Sequence, residues 1–205
     1  KVRNKNMHSS WNDIEIVIVG AGTMGASLAQ NYAQNGFTVG LLDISDDILQ
    51  RGLGVIEGEL ESAKGRVFSP AEIAAIRGRI RTTTSYEEAC GGTGLRLVIE
   101  AATERIDVKK KIFSCVDSLA NGETVIATNS SSLDVNVLAR STKHPDRVVW
   151  MHYFYLPHKN RAAEYAGSED ASAKSIGTAR TYLKLGGKLG TYVRGSRKGG
   201  VADII

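Results

Sequence analysis

Cysteine is almost missing from this chain: Cys90 and Cys115 are the only two in 205 residues. They are too few and too loosely spaced for a disulfide framework or a zinc ribbon, so free thiols in a reducing compartment are expected, the cytoplasm or another such as the mitochondrial matrix. No metal site is expected. Proline is scarce as well, with three residues scattered among 22 glycines, and aromatic residues make up only 6%. No apolar run approaches the ~20 residues of a membrane span. The N-terminus also lacks a charged-then-apolar secretory leader. No membrane partner is therefore expected.

What is present is the composition of an ordinary soluble globule: 42% hydrophobic and 23% charged residues, neither disordered nor fibrous. A chain of this length can bury roughly 70% of its unfolded surface without staples, which predicts one domain, or one domain and a fragment. The net charge of +4 comes from the ends, Lys1, Arg3 and Lys5 on one side and Arg194, Arg197 and Lys198 on the other, against Asp203. Between Asn6 and Val193 the balance is −1. No basic stripe runs along the body, so no nucleic-acid partner is expected. The chain opens on Lys1 rather than methionine and ends on the apolar run Val201 to Ile205. Both ends read as cut, with Met7 a candidate natural start.

Strand and helix signals alternate. Ile14 to Val19 is β-rich and bounded by Gly20, as in a buried parallel strand. Helical spacing follows from Thr23 to Asn35, stopped by Gly36. A second strand, Thr38 to Leu42, ends at Asp43. Ile44 to Arg66 has helical spacing, but Gly52, Gly54 and Gly58 predict a bent or frayed helix. Ser69-Pro70-Ala71-Glu72 is a capping box that opens a short helix to about Ile76. Strands are predicted at Ile80 to Thr83, Leu97 to Ala101, Val125 to Thr128, Val148 to Phe154, Ala162 to Tyr165 and Leu189 to Val193. Helices are predicted near Ile106 to Leu119, Asp134 to Arg140 and Asp170 to Leu185. This order predicts an α/β fold: a Rossmann-type, doubly wound, mostly parallel sheet with helices on both faces and ligands at the strand carboxyl ends. An N-terminal tail over 1–13, a nucleotide domain over 14–194 and a connecting segment over 195–205 complete the expected organisation.

The first strand–helix junction carries Gly20-Ala21-Gly22-Thr23-Met24-Gly25. At that position each glycine has a purpose: Gly20 for the tight turn, Gly22 for approach of a pyrophosphate, Gly25 for close packing of helix on strand. The helix start at Thr23 and Met24 offers unpaired N–H groups. Asp43 closes the second strand 23 residues after Gly20, where a carboxylate would accept both ribose hydroxyls and repel a 2′-phosphate. Ile44 and Ser45 follow, with no Arg or Lys to welcome that phosphate. Dinucleotide binding is predicted, with NAD rather than NADP as cofactor.

Several linked motifs go further: Val98-Ile99-Glu100-Ala101-Ala102-Thr103-Glu104-Arg105, then Lys109 and Phe113, Ala127-Thr128-Asn129-Ser130-Ser131-Ser132-Leu133, and Met151-His152-Tyr153-Phe154. In order and spacing they resemble the L-3-hydroxyacyl-CoA dehydrogenase family, whose pattern runs E-A-x-x-E, T-N-T-S-S-L and G-x-H-F-F-N-P. The resemblance extends over about Ile14 to Tyr165. It implies NAD-dependent oxidation of the 3-hydroxyl of an acyl-CoA, or the reverse, by a His–Glu pair. His152 matches the family's catalytic histidine, and Glu164, in Ala163-Glu164-Tyr165 where the family has L-V-E-V, its carboxylate partner. Ser131 matches a serine that hydrogen-bonds the substrate oxygen. Glu104 and Lys109 match contacts to the nicotinamide ribose region, and Asn129 lines the same pocket. Arg66 and Lys64 fall near a basic contact for the CoA phosphates. Without the resemblance these residues have plainer readings: a structural histidine, serines capping the helix near Asp134, an exposed salt bridge at a helix start, a solvated basic face. Asp107 and Lys111 read as a helix-surface pair.

Three places depart from the family pattern. Tyr155 stands where the family has an asparagine near substrate, so the pocket must differ in shape and hydrogen bonding. His158-Lys159-Asn160-Arg161 is charged where the family is apolar, which would suit a carboxylate or phosphate substrate. Asp203 or Ala202 replaces a substrate-contacting asparagine near the end. The resemblance also implies a C-terminal helical domain of roughly a hundred residues, closing the acyl pocket and forming a homodimer, which is expected to follow the connecting segment and to be missing from this sequence. A free polar 3-hydroxy acid as substrate, or NAD binding without catalysis, are the alternatives.

Overall fold

The computed structural model describes residues 10–62 and 67–194. Its elements are β1 (Ile16–Val19), α1 (Thr23–Gln34), β2 (Val39–Leu42), α2 (Asp46–Glu61), α3 (Pro70–Arg77), β3 (Ile80–Thr83), α4 (Tyr86–Cys90), β4 (Leu97–Glu100), α5 (Ile106–Leu119), β5 (Val125–Thr128), α6 (Val135–Ala139), β6 (Val148–Tyr153), β7 (Ala162–Gly167), α7 (Ala173–Leu185) and β8 (Leu189–Tyr192). They build one eight-stranded sheet in the order β3-β2-β1-β4-β5-β6-β7-β8. The first six strands run parallel. β7 is antiparallel to β6, and β8 is parallel to β7. The 3-2-1-4-5-6 order of the parallel part is the doubly wound Rossmann arrangement, whose strand order reverses between β1 and β4.

The sheet is covered on both faces, which explains why its central strands read as continuous apolar runs. Ile16, Ile18, Leu41, Ile99 and Met151 face α1, α2, α3 and α7, while Val17, Val19, Val98, Ile126 and Trp150 face α4, α5 and α6. The strand period of two thus divides each buried run between two cores.

Sequence and structure part at α2 and α4. Residues 63–66 of the expected helix lie outside the described residues, and over Asp46–Glu61 α2 is a continuous helix of 16 residues in spite of its three glycines. Its Gly52 is a packing device, since a Cβ there would lie 2.7 Å from the carbonyl oxygen of Ala21. Gly54 and Gly58 meet nothing within 4 Å and cost only helix propensity. α4 is too short to show periodicity and is marked only by Ser85, whose Oγ accepts from the Glu88 N–H at 3.2 Å. Ahead of β1, Trp11 packs over Gly40, where a Cβ would sit 2.9 Å from the indole.

Candidate active site

The loop between β1 and α1 passes the carboxyl ends of β1 and β4. Gly20 adopts φ +103°, and a Cβ on it would lie 2.8 Å from the Ala101 carbonyl oxygen. A Cβ on Gly25 would lie 1.7 Å from the Gly20 oxygen. Both positions require glycine for the fold itself. Gly22 differs: among the described residues nothing lies within 4 Å of a Cβ built there, so its small size leaves a space that these residues do not fill. Gly22 caps α1 without a side-chain hydrogen bond, which leaves the first N–H groups of the helix to a ligand. Thr23 is exposed and Met24 half-buried at that helix start. Asp43, at the end of β2, accepts the Ala21 N–H at 2.6 Å and the Ile44 N–H at 2.7 Å. Its carboxylate is fixed beside the glycine loop, where a ribose would follow a diphosphate seated over Gly22. An open cradle, an uncapped helix start and a positioned carboxylate fit a dinucleotide.

Beneath the β4 end lies a buried polar cluster centred on Glu100. Its carboxylate is fully buried and accepts from Lys109 Nζ at 2.6 Å, the Ala102 N–H at 2.7 Å and Thr128 Oγ1 at 2.8 Å. Burial pushes the Glu100 carboxyl up, with Lys109 and the hydrogen bonds opposing. Lys109 is therefore not part of an exposed helix start. It is 1% exposed, and Glu104 lies 3.9 Å from its ammonium. Glu104 itself is exposed and accepts from Ser130 Oγ at 2.7 Å. Glu100 was not singled out in the sequence; its signal was a carboxylate at the end of an otherwise apolar strand.

His152 and Glu164 are register partners across β6 and β7. Nδ1 of the imidazole lies 3.5 Å from Oε2, with both side chains largely buried. Such a pair can hold one imidazole tautomer and leave the other ring nitrogen to exchange a proton. Trp150 stacks on the imidazole at 5.4 Å between ring centroids, and Phe154 lies 4.9 Å away on a tilted plane. Asn129 Oδ1 accepts the Tyr153 N–H at 2.9 Å, tying the end of β5 to β6. In the turn that follows, Ser130 Oγ accepts from the Leu133 N–H at 3.1 Å, and Asp134 caps α6. The Ser131 hydroxyl is exposed and takes no part in this capping.

The segment joining β6 to β7 is arranged differently from its sequence pattern. Tyr155 is exposed, and Leu156 after it has φ +29°. His158 Nδ1 pairs with Ser27 Oγ at 2.7 Å, while Lys159 donates to Glu59 Oε2 at 2.5 Å. Arg161 donates to the Gly187 carbonyl at 3.3 Å. The lysine bond holds the Glu59 carboxyl below its usual range, and burial pulls the His158 imidazole down. These side chains brace the segment against α1, α2 and the turn before β8 instead of lining an anion pocket. Asp107 pairs with Arg105 at 2.7 Å and not with Lys111. Lys64, Arg66, Ala202 and Asp203 lie outside the described residues.

Residues 15–196 match the family model described as 3-hydroxyacyl-CoA dehydrogenase, NAD binding domain. The chain belongs to this family. A 3-hydroxybutyryl-CoA dehydrogenase of Clostridioides difficile is 34% identical over 143 residues, covering 69% of this chain and 50% of the relative. A fatty acid oxidation complex subunit alpha of Ectopseudomonas oleovorans is 30% identical over 176 residues, covering 85% of this chain and 24% of that protein. Among solved structures, the (S)-3-hydroxybutyryl-CoA dehydrogenase of Ralstonia eutropha superposes with a TM-score of 0.86 at 33% identity, over 93% of this chain and 66% of the other. The 3-hydroxyacyl-CoA dehydrogenase NAD-binding domain thus accounts for nearly all the described residues, and the chain spans half or less of the length of these two sequence relatives.

Proposed function

We propose that this chain is the cofactor-binding half of an NAD-dependent dehydrogenase that interconverts the 3-hydroxyl and 3-keto forms of an acyl-CoA. The observation that carries this is the cross-strand pair of His152 and Glu164 on the sheet that also ends in the glycine loop. Glu164 accepts a hydrogen bond from Nδ1 and fixes the tautomer in which Nε2 is the proton acceptor. Nε2 takes the proton of the substrate hydroxyl, and the carboxylate stabilises the resulting imidazolium. Ser131, with its hydroxyl exposed, donates to the substrate oxygen. Gly22, Thr23, Met24 and Asp43 bind the diphosphate and adenosine ribose, with Glu104, Lys109 and Asn129 bordering the nicotinamide side. NAD, when bound, accepts the hydride from the carbinol carbon. The acyl-CoA substrate, a helical second domain and a homodimer rest on the resemblance to the relatives.

Dehydrogenation of a free polar acid loses its main support, because His158, Lys159 and Arg161 already have partners within the fold. The test is NADH formation by the full-length protein from (S)-3-hydroxybutyryl-CoA and from free 3-hydroxybutyrate, beside calorimetric titration with NAD. Turnover of the thioester that is lost in His152→Gln, with NAD affinity kept, is expected. Turnover of the free acid alone, or NAD binding with no turnover of either, overturns the proposal.

A further inference from the structure

Trp150 stands two residues before His152, and the family pattern has glycine at that position. The largest side chain thus occupies a place where the relatives' motif has none. Alternation along β6 puts Trp150, His152 and Phe154 on one face of the sheet. The indole and imidazole planes lie 17° apart with centroids at 5.4 Å, a stacked pair. The imidazole thus stacks on the indole and also contacts the tilted Phe154 ring, with centroids 4.9 Å apart.

The other edge of the indole is anchored too. Trp150 is 7% exposed and packs in the core shared with Val135 and Leu138 of α6. Its Nε1–H donates to the Ser130 carbonyl at 2.6 Å. That carbonyl belongs to the turn bearing Ser131, and the same residue's hydroxyl binds Glu104. A buried indole N–H needs an acceptor, and a backbone carbonyl in this turn supplies it. One side chain thus touches both the imidazole and the serine turn.

We infer that Trp150 is a positioning residue that locks the His152 imidazole and the Ser131 turn into one rigid unit. This rests on the functional reading given above for His152 and Ser131. Glu164 restrains one nitrogen of the ring and leaves rotation about that contact, and the stacked indole removes it. A base and an oxygen donor must reach the same substrate carbinol, so a shared anchor fixes their spacing.

The test compares Trp150→Phe and Trp150→Leu with the parent chain, with His152→Gln used to assign the imidazole resonances by NMR. The indole ring current should displace the His152 ring protons upfield in the parent. That displacement should be partly retained in Trp150→Phe and lost in Trp150→Leu. With 3-hydroxybutyryl-CoA, kcat should fall about tenfold in Trp150→Leu and about threefold in Trp150→Phe, with KM and NAD affinity within about twofold. Should the leucine variant fail to fold, the phenylalanine variant still reads the loss of the N–H anchor through kcat and resonance position. Imidazole resonances in both variants equal to those of the parent overturn the inference. A full-length parent protein without turnover defeats the functional reading and leaves the resonances to decide whether the stack orders the imidazole.

Discussion

His152 and Glu164 face each other directly across the antiparallel β6–β7 pair, with Nδ1 and Oε2 3.5 Å apart. Contacts of this length commonly tighten when substrate binds. Because β7 is the strand that reverses direction, the pair needs no loop to position it: ladder register alone sets the two side chains opposite each other. Glu164→Gln keeps the shape and removes the charge that, in the proposed mechanism, stabilises the imidazolium. Turnover should fall about 10²-fold or more, with NAD affinity and melting temperature nearly unchanged. Steady-state kinetics beside a thermal melt check this, and a kcat within about threefold of the parent would make Glu164 a structural residue.

The three glycines of the loop should separate stability from binding. Gly25→Ala drives a methyl to 1.7 Å from the Gly20 oxygen and should destabilise the chain by about 3 kcal/mol or more. Gly22→Ala meets no protein atom within 4 Å, and its φ of −68° suits alanine. Stability should stay within about 1 kcal/mol of the parent, while NAD affinity falls about tenfold or more as the methyl fills the diphosphate approach. Denaturant melts and calorimetric titration of both variants provide the comparison; intact NAD binding by Gly22→Ala would remove the diphosphate from that position.

The doubly wound, mostly parallel sheet and most element boundaries were legible because the central strands are buried on both faces and the helices between them carry caps and periodic faces. The glycine loop and Asp43 were legible because backbone geometry leaves few residue choices there. The Glu100–Lys109 pair was not, since its partners sit nine residues apart and a lysine at a helix start normally points to water. The bracing of His158 and Lys159 was equally hidden: their partners, Ser27 and Glu59, are 131 and 100 residues away. Charge in a local segment reads as surface until the fold supplies its counter-ion. Trp150 was not singled out in the sequence, because an aromatic in a buried strand reads as core.

Lys109→Met removes the buried cation from Glu100 and should destabilise the chain by roughly 3–5 kcal/mol near neutral pH. The lone carboxyl, already pushed up by burial, can then take a proton. A carboxyl with a raised folded-state pKa favours the fold at low pH and loses that contribution as pH rises through it. The deficit should therefore shrink on acidification, and adding Glu100→Gln should recover much of it at neutral pH. Equal deficits at mildly acidic and neutral pH would place the cost elsewhere.

Lys188, just before β8, should give the stability of this domain an alkaline slope of unusual sign. Its ammonium donates to the Pro157 carbonyl, and to that of Asn160 at 2.8 Å, tying down the segment between His152 and Glu164. Burial, with the Arg161 charge adding, lowers its pKa from 10.5 to about 8. In the unfolded chain the lysine keeps its proton to higher pH, so between these values the unfolded state binds more protons and stability rises with pH. The neutral amine still has two N–H donors for the two carbonyls, so losing the proton relieves the buried charge without releasing the segment. Unfolding free energies of the parent, referred to Lys188→Met, should climb by up to ~1 kcal/mol per pH unit between about pH 8 and 10. Parallel curves for the two proteins would show that Lys188 titrates as it does in water.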